Sequence, residues 1–307
     1  MANVLAGEVM LTDGTSVGLP EVGVLKEQFI DQGRGGVFLH PNQWRAAFFQ
    51  HRPELVTPAA LMNQTVRKAL AHAVDRGPIN DALYYGNGIV SDGPVAPNSI
   101  WGPAADRGAV KYPYDLRQSD QLMQRAGFTK GADGSYTSAA EGKLTFEVKT
   151  NSGSDNESEV SILASVWRQA GFDAREAVLP AAQAQDAETR ATFPSMFTNS
   201  QNCCASALVG LTTAAIPTPA NRWSGGNRSG WTNPEYDRLV ETFSTAIDQN
   251  QREQHLSNLV RLLSDDVIAV TLFIRPQPWV YVNDLKGITL VPPEGNMSWN
   301  IHEWELR

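Results

Sequence analysis

Only two cysteines occur in the 307 residues, and they are neighbours, Cys203 and Cys204. Adjacent Cα atoms lie about 3.8 Å apart, below the span that disulfides usually bridge. The pair is therefore expected as two small, partly buried thiols, with a strained vicinal disulfide or a redox role as the alternative. No apolar run approaches the ~18 residues of a membrane span; the longest candidate is the short stretch from Val267 to Ile274. Direct membrane insertion is not expected. Basic blocks are missing as well: 25 Lys and Arg stand against 33 Asp and Glu, for a net charge of -8. Nothing there could neutralise a row of phosphates, so nucleic acid is not an expected partner. The first basic residue is Lys26, and Glu8 and Asp13 precede it. A secretory leader, basic and then apolar, is thus not visible.

Signals of chemistry are equally scarce. The 5 histidines are His40, His51, His72, His255 and His302, and no two share one helix at metal-binding spacing. There is no phosphate loop, and in Gly226-Asn227-Arg228-Ser229-Gly230 the serine stands one position too late for a nucleophile elbow. Gly86 and Gly88 are followed by Gly93, which does not complete a dinucleotide fingerprint. Carboxylates such as Asp265, Asp266, Glu303 and Glu305 are the only motive for a carbohydrate-active enzyme, and they equally suit a solvated surface. No cofactor, no metal and no catalytic residue is expected.

What is present is periodicity. Val66, Ala69, Leu70, Ala73 and Val74 fall on one helical face, predicting a helix from Gln64 to Asp75. Val160, Leu163, Ala164 and Trp167 repeat the pattern, as do Tyr236, Leu239, Val240, Phe243 and Ile247, and then Leu256, Leu259, Val260 and Leu263. Thr232 is placed to cap the third of these, with Pro234 in its first turn and Glu235 completing a capping box. Leu144, Phe146 and Val148 alternate as a strand does, and Val270 to Ile274 is almost continuously apolar. From Lys143 to Leu179 the order strand, helix, strand predicts a parallel pair with a crossover, hence an α/β fold. Two Pro/Gly-rich stretches, Gly86 to Pro103 and Pro217 to Gly230, are long for plain connections and suit binding or lid segments.

One absence is local. From Thr189 through Pro234 there is no Asp or Glu, while Arg190, Arg222, Arg228, Trp223, Trp231 and a group of amides crowd the same stretch. Amides and guanidinium groups hydrogen-bond hydroxyls and carboxylates, and indoles stack on flat groups. Asn199, Gln201, Asn202, Arg222, Trp223 and Arg228 are accordingly the candidate ligand-binding residues. The same composition also suits a glycine-rich surface loop anchored by two tryptophans.

Several motifs in order resemble those of the family 5 extracellular solute-binding proteins, the dipeptide- and oligopeptide-binding components of bacterial ABC importers. They are Val4 to Val9, then Arg67-Lys68-Ala69-Leu70-Ala71-His72-Ala73-Val74-Asp75-Arg76, then Pro94-Val95-Ala96-Pro97. Tyr114-Asp115, Ala126-Gly127-Phe128, Trp167 with Ala170-Gly171-Phe172, Asn233-Pro234-Glu235-Tyr236-Asp237, Arg252 and Asp284-Leu285-Lys286-Gly287 follow. Met10 departs from the pattern, standing where aspartate is usual.

The resemblance implies a type II periplasmic-binding-protein-like fold (cluster C), with an amino-terminal portion of the usual length missing. It implies a partial first lobe over 1–50, a largely complete second lobe over 51–272 carrying the ligand-binding α/β domain, and a return to the first lobe over 273–307. Hinge strands are expected near Ala46 to Gln50 and Ile274 to Tyr281. The implied function is capture of a small polar solute, an oligosaccharide, an opine-like acid or a peptide, for delivery to the membrane subunits of an ABC permease. Location would be periplasmic or at the cell surface. A shortened first lobe would leave a face open to self-association, and an interaction module without solute capture is the competing outcome. Peptide-binding members typically place a carboxylate for the peptide amine in the region of Asn199 to Asn221. This chain has none there, which turns the expectation away from a free amino terminus.

Overall fold

The computed structural model describes residues 1–14, 16–291 and 295–307. A six-stranded sheet organises it: β1 (Gly35–Phe49), β2 (Ile89–Val90), β3 (Thr145–Asn151), β4 (Asp173–Leu179), β5 (Met196–Asn202) and β6 (Ala269–Val282). Across the sheet the order is β2-β6-β1-β5-β3-β4. The expected crossover is there. β3 and β4 run parallel from Thr145 opposite Asp173 to Asn151 opposite Leu179, and β5 is parallel to β3 on its other side.

Among the helices that cover the sheet are α1 (Gln64–His72), α2 (Arg76–Tyr84), α3 (Ser154–Ala170), α4 (Pro234–Thr245) and α5 (Gln249–Asp265). Alternation along β1 decides which helices meet which face. Ala47 and Phe49 join Val66, Ala69 and Leu70 of α1 and Val160, Leu163, Ala164 and Trp167 of α3 in one core. Trp44, Ala46 and Phe48 join Tyr236, Leu239, Val240 and Phe243 of α4 and Leu256, Leu259, Val260 and Leu263 of α5 in the other. The predicted helical faces are the buried ones.

Three boundaries differ from expectation, each for a local reason. The first helix stops at His72, because Asp75 turns outward to cap α2, its side chain accepting from the backbone N–H of Gly77. Asn233, not Thr232, caps α4, through a 3.0 Å bond from the Tyr236 N–H. Ile247 lies beyond the end of α4 and is 98% exposed, since the chain leaves the helix at Thr245 and Asp248 caps α5.

Two polar struts hold the layers together. Arg45 of β1 forms a buried ion pair with Glu159 of α3, and its Nε bonds the same carboxylate at 3.1 Å. Burial works against the Arg45 charge, but the Glu159 carboxylate outweighs it and holds the guanidinium above its ordinary value. Arg67 of α1 donates to the carbonyls of Leu61 (3.0 Å), Met62 (2.8 Å) and Asp266 (2.8 Å), and its NH2 group meets the Asp266 carboxylate at 2.5 Å. That arginine ties the start of α1 to the end of α5.

β1 and β6 outrun the helices. They pair antiparallel from Gly35 opposite Val282 to Phe48 opposite Ala269, with register shifts between Pro41 and Gln43 and between Arg45 and Ala46. Of the expected hinge segments, Ala46 lies opposite Thr271 and Ile274 lies opposite Trp44. The part that extends past the helical cover is the ribbon of Gly35 to Pro41 with Pro276 to Val282. One face of it packs on a small core of Val4, Val17, Leu25, Phe29, Val280 and Val282.

Candidate functional site

Parallel strands bring their carboxyl ends to one edge of a sheet, and in open α/β folds that edge is where ligands bind. Here Asn151, Leu179 and Asn202 end β3, β4 and β5 side by side. Along β5 the side chains alternate. Thr198 and Ser200 face α3 and are taken up there: the Thr198 hydroxyl donates to that of Thr150 (2.9 Å), and Ser200 Oγ accepts from Arg45 (3.1 Å). Asn199 and Gln201 face the other way, half-buried, and Asn202 is exposed at the tip. The chain then turns sharply. The N–H of Cys203 bonds the carbonyl of Asn42 (3.0 Å), and Cys204 bonds that of Pro94 (2.6 Å) with φ at 83°. Both cysteines are buried and outside any disulfide, and the Cys203 thiol donates to the carbonyl of Pro41 at 3.6 Å.

The acid-free loop folds back onto this strand. Gln201 Nε2 donates to the carbonyl of Gly226 at 3.1 Å, which fixes the loop beside the end of β5. Asn227, only 1% exposed, organises the loop from within: its Nδ2 donates to the carbonyls of Leu211 (3.0 Å), Thr212 (3.1 Å) and Trp231 (2.8 Å). Asn221 closes a turn with Thr218, and Trp231 donates its ring N–H to Asp266 (2.6 Å). These three residues are framework.

The six candidate residues are therefore only partly assembled. Asn199, Gln201 and Asn202 share the strand end, and of the three only Gln201 bonds the loop among the described residues. Arg222 and Trp223 sit at the loop tip in the left-handed backbone region, with φ of 56° and 59°. No hydrogen bond, ion pair or ring contact among the described residues joins their side chains to β5. Arg228 is half-buried; burial first, and then the neighbouring charge of Arg190, push its guanidinium below the ordinary value. Arg190 itself has a buried Nε with no partner. With no carboxylate on the loop, this corner is positively charged.

A further cluster had escaped sequence reasoning. On the ribbon, His40, Asn42, Gln277 and Trp279 line an open pocket of about 670 Å³ together with Asp13, Gly14 and Trp304. Burial keeps His40 below its ordinary value, the backbone of Val291 acting in the opposite sense. The signal was available as one polar side chain, His40, following Val37, Phe38 and Leu39 in a strand. Among the described residues no group of three or more His, Cys, Asp or Glu is placed to hold a metal ion, and no helix is long and apolar enough to cross a membrane.

Residues 1–213 match the family model described as bacterial extracellular solute-binding proteins, family 5 Middle. The chain belongs to this family. The oligopeptide-binding protein AppA of Bacillus subtilis is 22% identical over 253 residues, which is 80% of this chain and 44% of that protein. Among solved structures, NikZ from Campylobacter jejuni in complex with Ni(L-His) superposes with a TM-score of 0.77 at 19% identity, covering 99% of this chain and 59% of NikZ. An oligopeptide-binding protein from Thermus thermophilus complexed with a pentapeptide gives 0.74 at 21% identity, covering 94% of this chain and 51% of that one. These likenesses show the fold, the α/β architecture of the periplasmic binding proteins of family 5. The chain spans about half the length of the relatives it matches. The family is one of solute-binding proteins, not of enzymes.

Proposed function

We propose that this chain takes part in capturing a small polar solute for an ABC importer, with the carboxyl edge of β3, β4 and β5 as its ligand face. The observation that carries this is the arrangement at the end of β5. Asn199 and Asn202 have no side-chain hydrogen bond among the described residues, and they stand beside a loop held in place by Gln201 and stripped of carboxylates. Amides left unpaired at a strand end are donors and acceptors ready for a solute, and a cationic rim of Arg222 and Arg228 favours groups that carry partial or full negative charge. Trp223 adds an aromatic face at the same loop.

On this reading, residues 51–272 form the ligand-bearing second lobe, and 1–50 with 273–307 belong to the first. The ribbon of β1 and β6 is the connection about which they move. Closure on solute would present the shape that membrane permease subunits recognise, so affinity arises from contacts that differ between open and closed forms. The protein would act in the periplasm or at the cell surface, and its first-lobe face offers a surface for self-association. Peptide and nickel–histidine ligands in the relatives make peptides and small chelates the first solutes to try, with oligosaccharides and opine-like acids beside them.

The test is isothermal titration of the chain against blocked and free peptides, cello-oligosaccharides, an opine and nickel–histidine, with product analysis of each mixture. Saturable heat with the solute recovered unchanged is the expected result, weakened in Asn202→Ala by at least several-fold. Turnover of a glycoside, or no heat with any solute from a chain that still melts cooperatively, would remove the proposal.

A further inference from the structure

Two buried ring nitrogens on the ribbon have no partner among the described residues: Nδ1 of His40, which is 2% exposed, and Nε1 of Trp279, which is 6% exposed. Both residues line the same open pocket, and their rings lie against each other with centroids 4.5 Å apart. Leaving a buried donor or acceptor unpaired costs about 1–3 kcal/mol, so such groups in a native fold call for an explanation. Two of them, side by side on one pocket wall, share one.

The chemistry of the wall can be read atom by atom. The indole Nε1–H can only donate. Burial disfavours the charged ring of His40, while the backbone of Val291 favours a proton on it. With the ring neutral and its proton on Nε2, the unpartnered Nδ1 is an acceptor. Beside them Asn42 Nδ2 donates to Gln277 Oε1 at 2.5 Å, which leaves Asn42 Oδ1 as an acceptor and the Gln277 amide as a donor on two residues that line the pocket. No Lys or Arg is among the lining residues, and Asp13 is, so an anion would be repelled. Gly14 packs directly against the wall: a Cβ there would stand 2.7 Å from Trp279 Nε1 and 2.5 Å from Gln277 Cβ, closer than either can accept without a shift.

We infer that this pocket is a second ligand subsite, built for an uncharged group that presents a donor and an acceptor together, such as a peptide amide or a sugar hydroxyl. It rests on the reading of the chain as a solute-binding protein and extends the face already described. Asn42, which lines the pocket, accepts the N–H of Cys203, directly after the exposed Asn202. A solute lying across the ribbon would thus meet the amides of β5 at one end and the His40–Trp279 pair at the other. The two ends differ in charge, cationic at the loop and acidic at Asp13, which would orient a solute that is polar along its length.

Titration of the whole chain with acetyl-pentaalanine amide and, separately, with cellopentaose distinguishes the two sources of this chemistry. One of them is expected to bind saturably. Trp279→Phe, which keeps a ring and removes only the donor, should weaken that binding about 5- to 10-fold, the size of one neutral hydrogen bond. Gly14→Ala, which crowds the same nitrogen, should weaken it at least as much, and both variants should melt cooperatively. If a solute binds but both variants bind it as tightly as the parent chain, while Asn202→Ala does not, the subsite is wrong and the capture role stands. If neither neutral probe binds and only charged solutes do, the pocket's assignment to an uncharged group is overturned. If nothing binds, both readings fall together.

Discussion

The helix-covered part of the sheet and the ribbon that leaves it differ in how their buried charges and rings are served. Under the helices, Arg67 is almost wholly enclosed and spends its donors on three backbone carbonyls and a carboxylate, while Arg45 and Glu159 satisfy each other. On the ribbon, His40 and Trp279 are as deeply buried, yet each keeps a nitrogen without a partner. In the first region the protein supplies partners for its buried charges, although Trp44 Nε1 and His51 Nε2 stay unpaired there as well. In the second the unpaired nitrogens lie beside an open pocket, where a partner can come from outside. Polar groups of the first kind brace the fold, and those of the second kind are the ones the proposed subsite leaves for a solute.

The sharpest way to break this contrast is Arg67→Met. It strands the Asp266 carboxylate and the carbonyls of Leu61 and Met62, and should cost about 3–5 kcal/mol of folding stability by denaturant titration. Glu159→Ala comes next. It leaves Arg45 charged and enclosed, at an expected cost of about 3 kcal/mol, whereas the paired change Arg45→Met with Glu159→Leu should recover most of that loss. A pair that proved dispensable one member at a time would refute the structural role given to it.

Acid should act mainly on the helix-covered region. Burial, and then the charge of Arg67, hold His51 down to about 3, far below the ordinary ~6.5. Its folded value is depressed, so the unfolded chain binds a proton that the folded chain does not. The contribution of His51 is complete above pH ~6.5 and is lost as pH falls from there toward 3, by at most about 1.4 kcal/mol per pH unit. Replacing His51 by Gln should flatten the pH dependence of the melting midpoint in that window. An unchanged slope would show that the ring is reached by water.

Much of the covered region was legible in the sequence because helical periodicity reports burial directly. The faces of α1, α3, α4 and α5 were read from Leu70, Trp167, Leu239 and Leu259 and their neighbours, and those residues form the cores. Ends were read less well. Asp75 and Asn233 compete with adjacent residues for the same capping geometry, and composition alone does not say which one turns its side chain back. The candidate loop was legible as chemistry but not as placement: Asn227, Asn221 and Trp231 look like ligand residues in a sequence and serve as internal braces in the fold. The ribbon pocket was not legible because His40 and Trp279 are more than two hundred positions apart and meet only through the pairing of β1 with β6. No local pattern reports that meeting.

Thermal unfolding of the parent chain and Trp279→Phe, each with and without the solute that titration selects, tests the contrast most directly. An indole N–H with no partner contributes nothing to the empty protein, so the two empty chains should differ by less than about 1 kcal/mol, while the solute should raise the midpoint of the parent clearly more than that of the variant. A variant that is strongly destabilised when empty, yet gains as much from solute as the parent, would place Trp279 among the braces of the fold and contradict the account.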